Sequence, residues 1–139
     1  MNKKTTYTKQ YRRTTTTVSM VNYHIVFCPR YRKKIFSIPG LEERFKELTA
    51  AECARHGFEI LALECNVDHA HMFVNVPPTY SPADVCKFIK GASSSKLRRE
   101  FSELSRIPSL WTRSYFASTA GNVSSGTIMQ YIREQKNRS

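Results

Sequence analysis

No stretch of this chain approaches the roughly 18 consecutive apolar residues a membrane-spanning helix needs, and its basic N-terminus lacks the apolar core of a secretory signal. A cytoplasmic protein with no membrane partner is expected. Cys28, Cys53, Cys65 and Cys86 are widely spaced, with no Cys-x-x-Cys pair, which speaks against a zinc knuckle and against a disulfide framework. Reduced, mostly buried thiols are the simpler reading. Carboxylates are missing from the start of the chain: nothing acidic precedes Glu42, while Lys3, Lys4, Lys9, Arg12, Arg13, Arg30, Arg32, Lys33 and Lys34 are all cationic. Overall Lys+Arg is 22 against 11 for Asp+Glu, a formal net charge of +11 in 139 residues. An excess of that size points to a phosphate backbone or an anionic surface as partner.

The length suits one compact domain with a core of its own. Residues 1–17 are polar and basic, offer nothing to bury, and read as a flexible arm; residues 18–139 read as the domain. From Val18 apolar and polar residues alternate through Val21, Tyr23, Ile25 and Phe27, which predicts a strand. Leu41, Phe45 and Leu48 recur at helical spacing after Pro39-Gly40, and Gly57 suits the left-handed cap of that helix. A second strand from Phe58 to Leu63 turns through Asn66 to Asp68 into a third that ends at Pro77-Pro78. Ser81-Pro82-Ala83-Asp84 combines an N-cap, a first-turn proline and an early carboxylate, so a helix starts there, with Val85, Phe88, Ile89 and Ala92 as its buried stripe. Trp111 to Phe116 alternates as a fourth strand, and a last helix begins near Ser124 or Ser125. The order β-α-β-β-α-β-α predicts an α+β fold, a ferredoxin-like βαββαβ sandwich with a four-stranded antiparallel sheet and an added C-terminal helix.

The third strand carries the chemistry. His69 and His71, two residues apart, share one face, while Ala70, Met72, Val74 and Val76 form the other. Two imidazoles side by side are half of a metal site. In the last helix Tyr131 and Gln135, at i and i+4, also share a face. Lone strand histidines are more often structural than ligating, and His24 and His56 are read that way. Tyr23, Tyr31 and Tyr115 are read as half-buried aromatics. Arg30-Tyr31-Arg32-Lys33-Lys34 interleaves an aromatic with cations, as single-strand binding surfaces do. With Lys87, Lys90, Lys96, Arg98 and Arg99 of the second helix, these cations are the expected DNA contacts.

Taken together, Tyr23-His24-Ile25-Val26-Phe27 with Pro29-Arg30-Tyr31-Arg32, Asp68-His69-Ala70-His71, Lys90-Gly91-Ala92-Ser93, Trp111 to Phe116 and Tyr131-Ile132-Arg133-Glu134-Gln135 resemble the single-tyrosine HUH transposases of the IS200/IS605 type. These move small insertion sequences as single-stranded DNA. The resemblance implies a divalent metal, Mg²⁺ or Mn²⁺, on His69, His71 and Gln135, with Tyr131 as nucleophile. It also implies hairpin-bearing single-stranded DNA as partner and a homodimer in which the tyrosine helix of one protomer completes the histidine site of the other. The chemistry is self-consistent. A phenol with a pKa of about 10 attacks phosphate poorly unless charge on the phosphate or the leaving oxygen is stabilised, and a metal can do that. Gln135 has no basic lone pair, which suits it to ligation. Two alternatives stand beside this reading. One is a non-catalytic nucleic-acid-binding module; the other is a domesticated relative that acts on palindromic repeats in its host genome.

Overall fold

In the computed structural model residues 11–119 and 133–134 are described. The elements are β1 (Arg12–Arg13), β2 (Val18–Ser19), β3 (Val21–Phe27), α1 (Leu41–Arg55), β4 (Glu59–Asn66), β5 (His69–Val76), α2 (Pro82–Glu100) and β6 (Phe116–Thr119). β3 to β6 make one antiparallel sheet in the order β4-β5-β3-β6. With α1 and α2 this is the ferredoxin-like arrangement. Tyr23, Ile25 and Phe27 pair in register with Val74, Met72 and Ala70, so both strands turn the same alternate residues inward. Those residues join Leu41, Phe45 and Leu48 of α1 and Val85, Ile89 and Leu97 of α2 in a single core.

Local chemistry accounts for the helix ends. Ser81 and Asp84 form a reciprocal capping box, Asp84 N donating to Ser81 Oγ (3.1 Å) and Ser81 N to Asp84 Oδ2 (2.9 Å), with Pro82 at the first position where no donor is needed. Gly57, after α1, has φ 73°, a conformation that costs a residue with a side chain.

Three local features depart from or add to what the sequence predicts. The described part of the arm is folded: β1 and β2 pair around Thr14–Thr17, whose hydroxyls close the turn, and the Arg12 guanidinium donates to Asn75 Oδ1 (2.7 Å) and Gly57 O (2.8 Å). Hydrogen bonds supply what the missing apolar residues do not. Second, the strand expected from Trp111 to Phe116 begins only at Phe116; Trp111 makes an isolated bridge to Pro29. The Lys90 ammonium gathers the carbonyls of Thr112, Arg113 and Ser114 (2.7, 3.3 and 3.3 Å), bending the chain between bridge and strand. Third, β4 carries a bulge between Ile60 and Ala62, and the extra residue turns Glu64 and Asn66 onto the face of β5 that bears the histidines.

The small-residue run in α2 also has a use. Ser93, fully buried, accepts the indole N–H of Trp111 at 3.0 Å and donates to Ile89 O at 2.8 Å. Trp111 thereby closes the core against Phe27, Phe36 and Phe45, ring centroids 6.0, 6.3 and 5.4 Å away.

Candidate active site

The geometry follows from the pleat. β5 presents His69 and His71 on the sheet face opposite the core, and their Nε2 atoms are 3.0 Å apart. At that distance either a hydrogen on one ring nitrogen or a shared cation lies between the two atoms. Bonds of about 2.1 Å to one ion in adjacent octahedral positions put two donor atoms about 3.0 Å apart, so the pair fits a single metal. Among the described residues no third His, Cys, Asp or Glu joins them in a metal-binding group. Tyr131 and Gln135 lie outside the described residues.

His71 is the better-defined partner electrostatically. Burial, and then its neighbours His69 and His24, lower its pKa, with Glu64 opposing. A neutral imidazole, the form that binds metal, is thereby favoured. His69 is enclosed by polar groups: Asp68 Oδ1 lies 2.9 Å from Nδ1, and the Asn66 amide 2.9 Å from Nε2. Asp68 in turn meets Arg32 Nε at 2.8 Å.

His24 belongs to this site. Register places Val26 opposite His71 and His24 opposite Phe73, and the His24 ring stacks on His71 with centroids 5.7 Å apart and an interplanar angle of 16°. Phe116 of β6 closes its other side edge-on at 6.5 Å. Burial lowers the His24 pKa as well. Beside these rings is a hollow of about 270 Å³ lined by His24, His71, Phe73, Ala62, Glu64 and Asn66. Alternation alone places His24 off the core face; only the strand register, which the sequence does not state, puts it beside His71.

The expected DNA contacts divide. Lys33, Lys34, Lys87, Lys96 and Arg99 are exposed. Arg30 lies over the ring of Tyr31 at 5.9 Å, and Tyr31 is 61% exposed. Arg30, Tyr31, Lys33 and Arg106 line a second hollow of about 210 Å³ with Ile107 and Pro108; Arg106 was not among the expected contacts. Three other cations face inward. Lys90 holds the three carbonyls before β6, Arg98 donates to Ile107 O and Pro108 O (2.9 Å each), and Arg32 is paired with Asp68.

Comparison with known proteins agrees with the geometry. The model of the family described as "Transposase IS200 like" matches residues 17–135. The transposase of insertion sequence element IS200 from Salmonella typhimurium is 34% identical over 117 residues, covering 81% of this chain and 75% of the relative. The ISDra2 transposase TnpA of Deinococcus radiodurans is 25% identical over 124 residues, covering 87% of this chain and 88% of that one. Among solved structures, a putative transposase from Deinococcus radiodurans superposes with a TM-score of 0.81 at 25% identity, over 89% of this chain and 97% of its own. A REP-associated tyrosine transposase bound to a REP hairpin shares the fold at a TM-score of 0.54 and 13% identity, over 89% of this chain and 68% of its own. No helix among the described residues is long and apolar enough to cross a membrane. The chain belongs to the IS200-like transposase family.

Proposed function

We propose that this transposase cleaves and rejoins single-stranded DNA at insertion-sequence ends through a 5′-phosphotyrosine intermediate on Tyr131, in a metal-dependent reaction. The observation that carries the reading is the convergence of His69 Nε2 and His71 Nε2 to 3.0 Å on the sheet face opposite the core of a strongly basic chain. His69 and His71, with Gln135 as third ligand, would hold a divalent ion, Mg²⁺ or Mn²⁺. Bound there, such an ion supplies Lewis-acid polarisation of the scissile phosphate and stabilises the leaving 3′-oxygen.

The chain's own residues do the rest. The phenol oxygen of Tyr131 attacks phosphorus, the P–O3′ bond breaks, and the products are a tyrosine-linked 5′-phosphate and a free 3′-hydroxyl. Because the phosphodiester energy is kept in the linkage, another 3′-hydroxyl can attack it, release the phenol and join strands without a nucleotide cofactor. The cations around Arg30–Lys34 and on the exposed side of α2 hold the backbone, and Tyr31 offers a surface on which a base stacks. Hairpin DNA is the proposed form of the substrate; the same frame holds a REP hairpin in the fold neighbour. The proposed assembly is a homodimer with the tyrosine helix exchanged between protomers.

The test uses labelled single-stranded ends, Mg²⁺ or Mn²⁺, and a denaturing gel. A covalent species is expected with the wild-type chain and none with Tyr131→Phe or His69→Ala; an adduct that survives Tyr131→Phe rejects the nucleophile. Mixing Tyr131→Phe with His69→Ala chains restores cleavage if the helix acts in trans, and a mixture as inactive as its parts rejects the exchange.

A further inference from the structure

The groups around His69 form a chain that begins in a different part of the sequence. Asp68 stands between two partners, its Oδ1 2.9 Å from His69 Nδ1 and its Oδ2 2.8 Å from Arg32 Nε. A carboxylate offers only acceptors, so Nδ1 carries the hydrogen of that bond. The Nε2 atom, 3.0 Å from His71 Nε2, then keeps its lone pair. This is the tautomer a metal requires, and it is the opposite one from what a carboxylate on Nε2 would impose.

Arg32 reaches Asp68 from an unusual turn. Tyr31 and Arg32 have φ of 56° and 53°, two successive residues with side chains in the left-handed region. Such a pair persists only where the surroundings hold it. Here Arg30 N donates to Leu110 O (2.9 Å), Arg32 N to Pro29 O (2.9 Å), and Phe36 N to Val67 O (3.0 Å), the last tying this loop to the β4–β5 turn that bears Asp68. Glycine would adopt the same backbone without strain. It would bring no guanidinium.

We propose that Asp68 and Arg32 are positioning residues: together they lock His69 in its Nδ1–H tautomer and aim the Nε2 lone pair at the metal. The left-handed Tyr31–Arg32 turn is the mount that delivers the guanidinium to Asp68. The inference rests on the reading in which His69 and His71 bind a divalent ion, but the lock itself exists without the ion. Arg32 thereby moves from the DNA contacts to the metal's outer surroundings, while Tyr31, one residue away, faces solvent. The loop that meets the strand and the carboxylate that sets the ligand are mechanically one unit.

Two readouts test this on the full chain. In metal-free protein with ¹⁵N-labelled histidine, long-range ¹H–¹⁵N correlation reads the His69 tautomer: Nδ1–H is expected in the wild type, and a mixture in Asp68→Ala and Arg32→Gly. Titration with Mn²⁺ followed by electron paramagnetic resonance should show affinity falling about 10- to 100-fold in Asp68→Ala. Asp68→Asn, which keeps an acceptor oxygen, and Arg32→Lys, which keeps the charge, should fall between. Arg32→Gly separates positioning from stability: its thermal midpoint should hold or rise as the backbone relaxes, while Mn²⁺ affinity falls. Wild-type tautomer and affinity in Asp68→Ala, or undiminished affinity in Arg32→Gly, overturns the proposal. A wild-type chain that binds no Mn²⁺ but shows the Asp68-dependent tautomer overturns the metal reading and supports the lock.

Discussion

Along β5 alternate residues live in two environments. Ala70, Met72, Val74 and Val76 have 0% exposure and sit in the apolar core, whereas His69, His71 and Asn75 are spoken for by named polar atoms. The first set is held by volume: a buried side chain there can be exchanged for another of similar size at modest cost. The second set is held by atom type and direction, so even an isostere breaks it. One strand thus carries a stability determinant and a chemical determinant interleaved, and substitutions should separate them.

The largest separation should come from His71→Ala. Covalent adduct with single-stranded DNA should vanish while the urea midpoint stays near wild type, because His71 lies on the half-buried side; a collapse of the fold in this variant would merge the two faces. Met72→Ala is the converse. It should cost about 2–5 kcal/mol in urea unfolding, as deletions in a packed core do, while the folded fraction forms adduct at the wild-type rate.

A smaller effect distinguishes inward from outward cations. Lys90→Met should destabilise by about 1–3 kcal/mol, the cost of leaving part-buried carbonyls unpaired, without changing the salt dependence of DNA binding. Lys33→Ala should leave stability alone and lower the salt slope by about 0.7, one phosphate contact on a single strand. A slope that drops equally in both places Lys90 on DNA.

The smallest effect concerns the thiols. Burial, the largest influence on each, pushes the thiols of Cys28, Cys53, Cys65 and Cys86 up to about 12. Their folded pKa lies above the unfolded one, so the associated stability is fully present below about pH 9 and is lost as pH rises from there toward 12. Chromogenic disulfide reagent should react slowly at pH 8 until urea unfolds the chain. Rapid labelling of the native protein would place a thiol outside the core.

Much of this was legible because period-two alternation and helix caps are local signals. The faces of β5, the box at Ser81–Asp84 and the left-handed Gly57 depend on neighbours a few residues away, and each was found as expected. What escaped depends on distant partners. The target carbonyls of Lys90 are 22 to 24 residues downstream, so its charge read as a surface cation. His24 meets His71 only through register, and Arg12 meets Asn75 across 63 positions. Trp111 to Phe116 alternates as a strand does, yet alternation cannot reveal a lysine that bends the backbone between its ends. The family resemblance named the site residues that periodicity alone could not assemble. Tyr131 and Gln135, the proposed nucleophile and third ligand, fall outside the described residues.

The bulge in β4 has a consequence for how this chain tolerates change. Between Glu59 and Asn66 the strand holds one more residue than its partner segment, and that surplus keeps Glu59 and Glu64, which plain alternation would put on opposite faces, together on the working side of the sheet. Removing the codon for Leu61 would delete no functional group. It would also turn no side chain over: the seven residues left would face the seven from Asn75 to His69 in an unbroken ladder, with Glu59, Glu64 and Asn66 still on the histidine face. What the deletion would take away is shape: the bend and added twist that the surplus residue gives the strand beside the histidines.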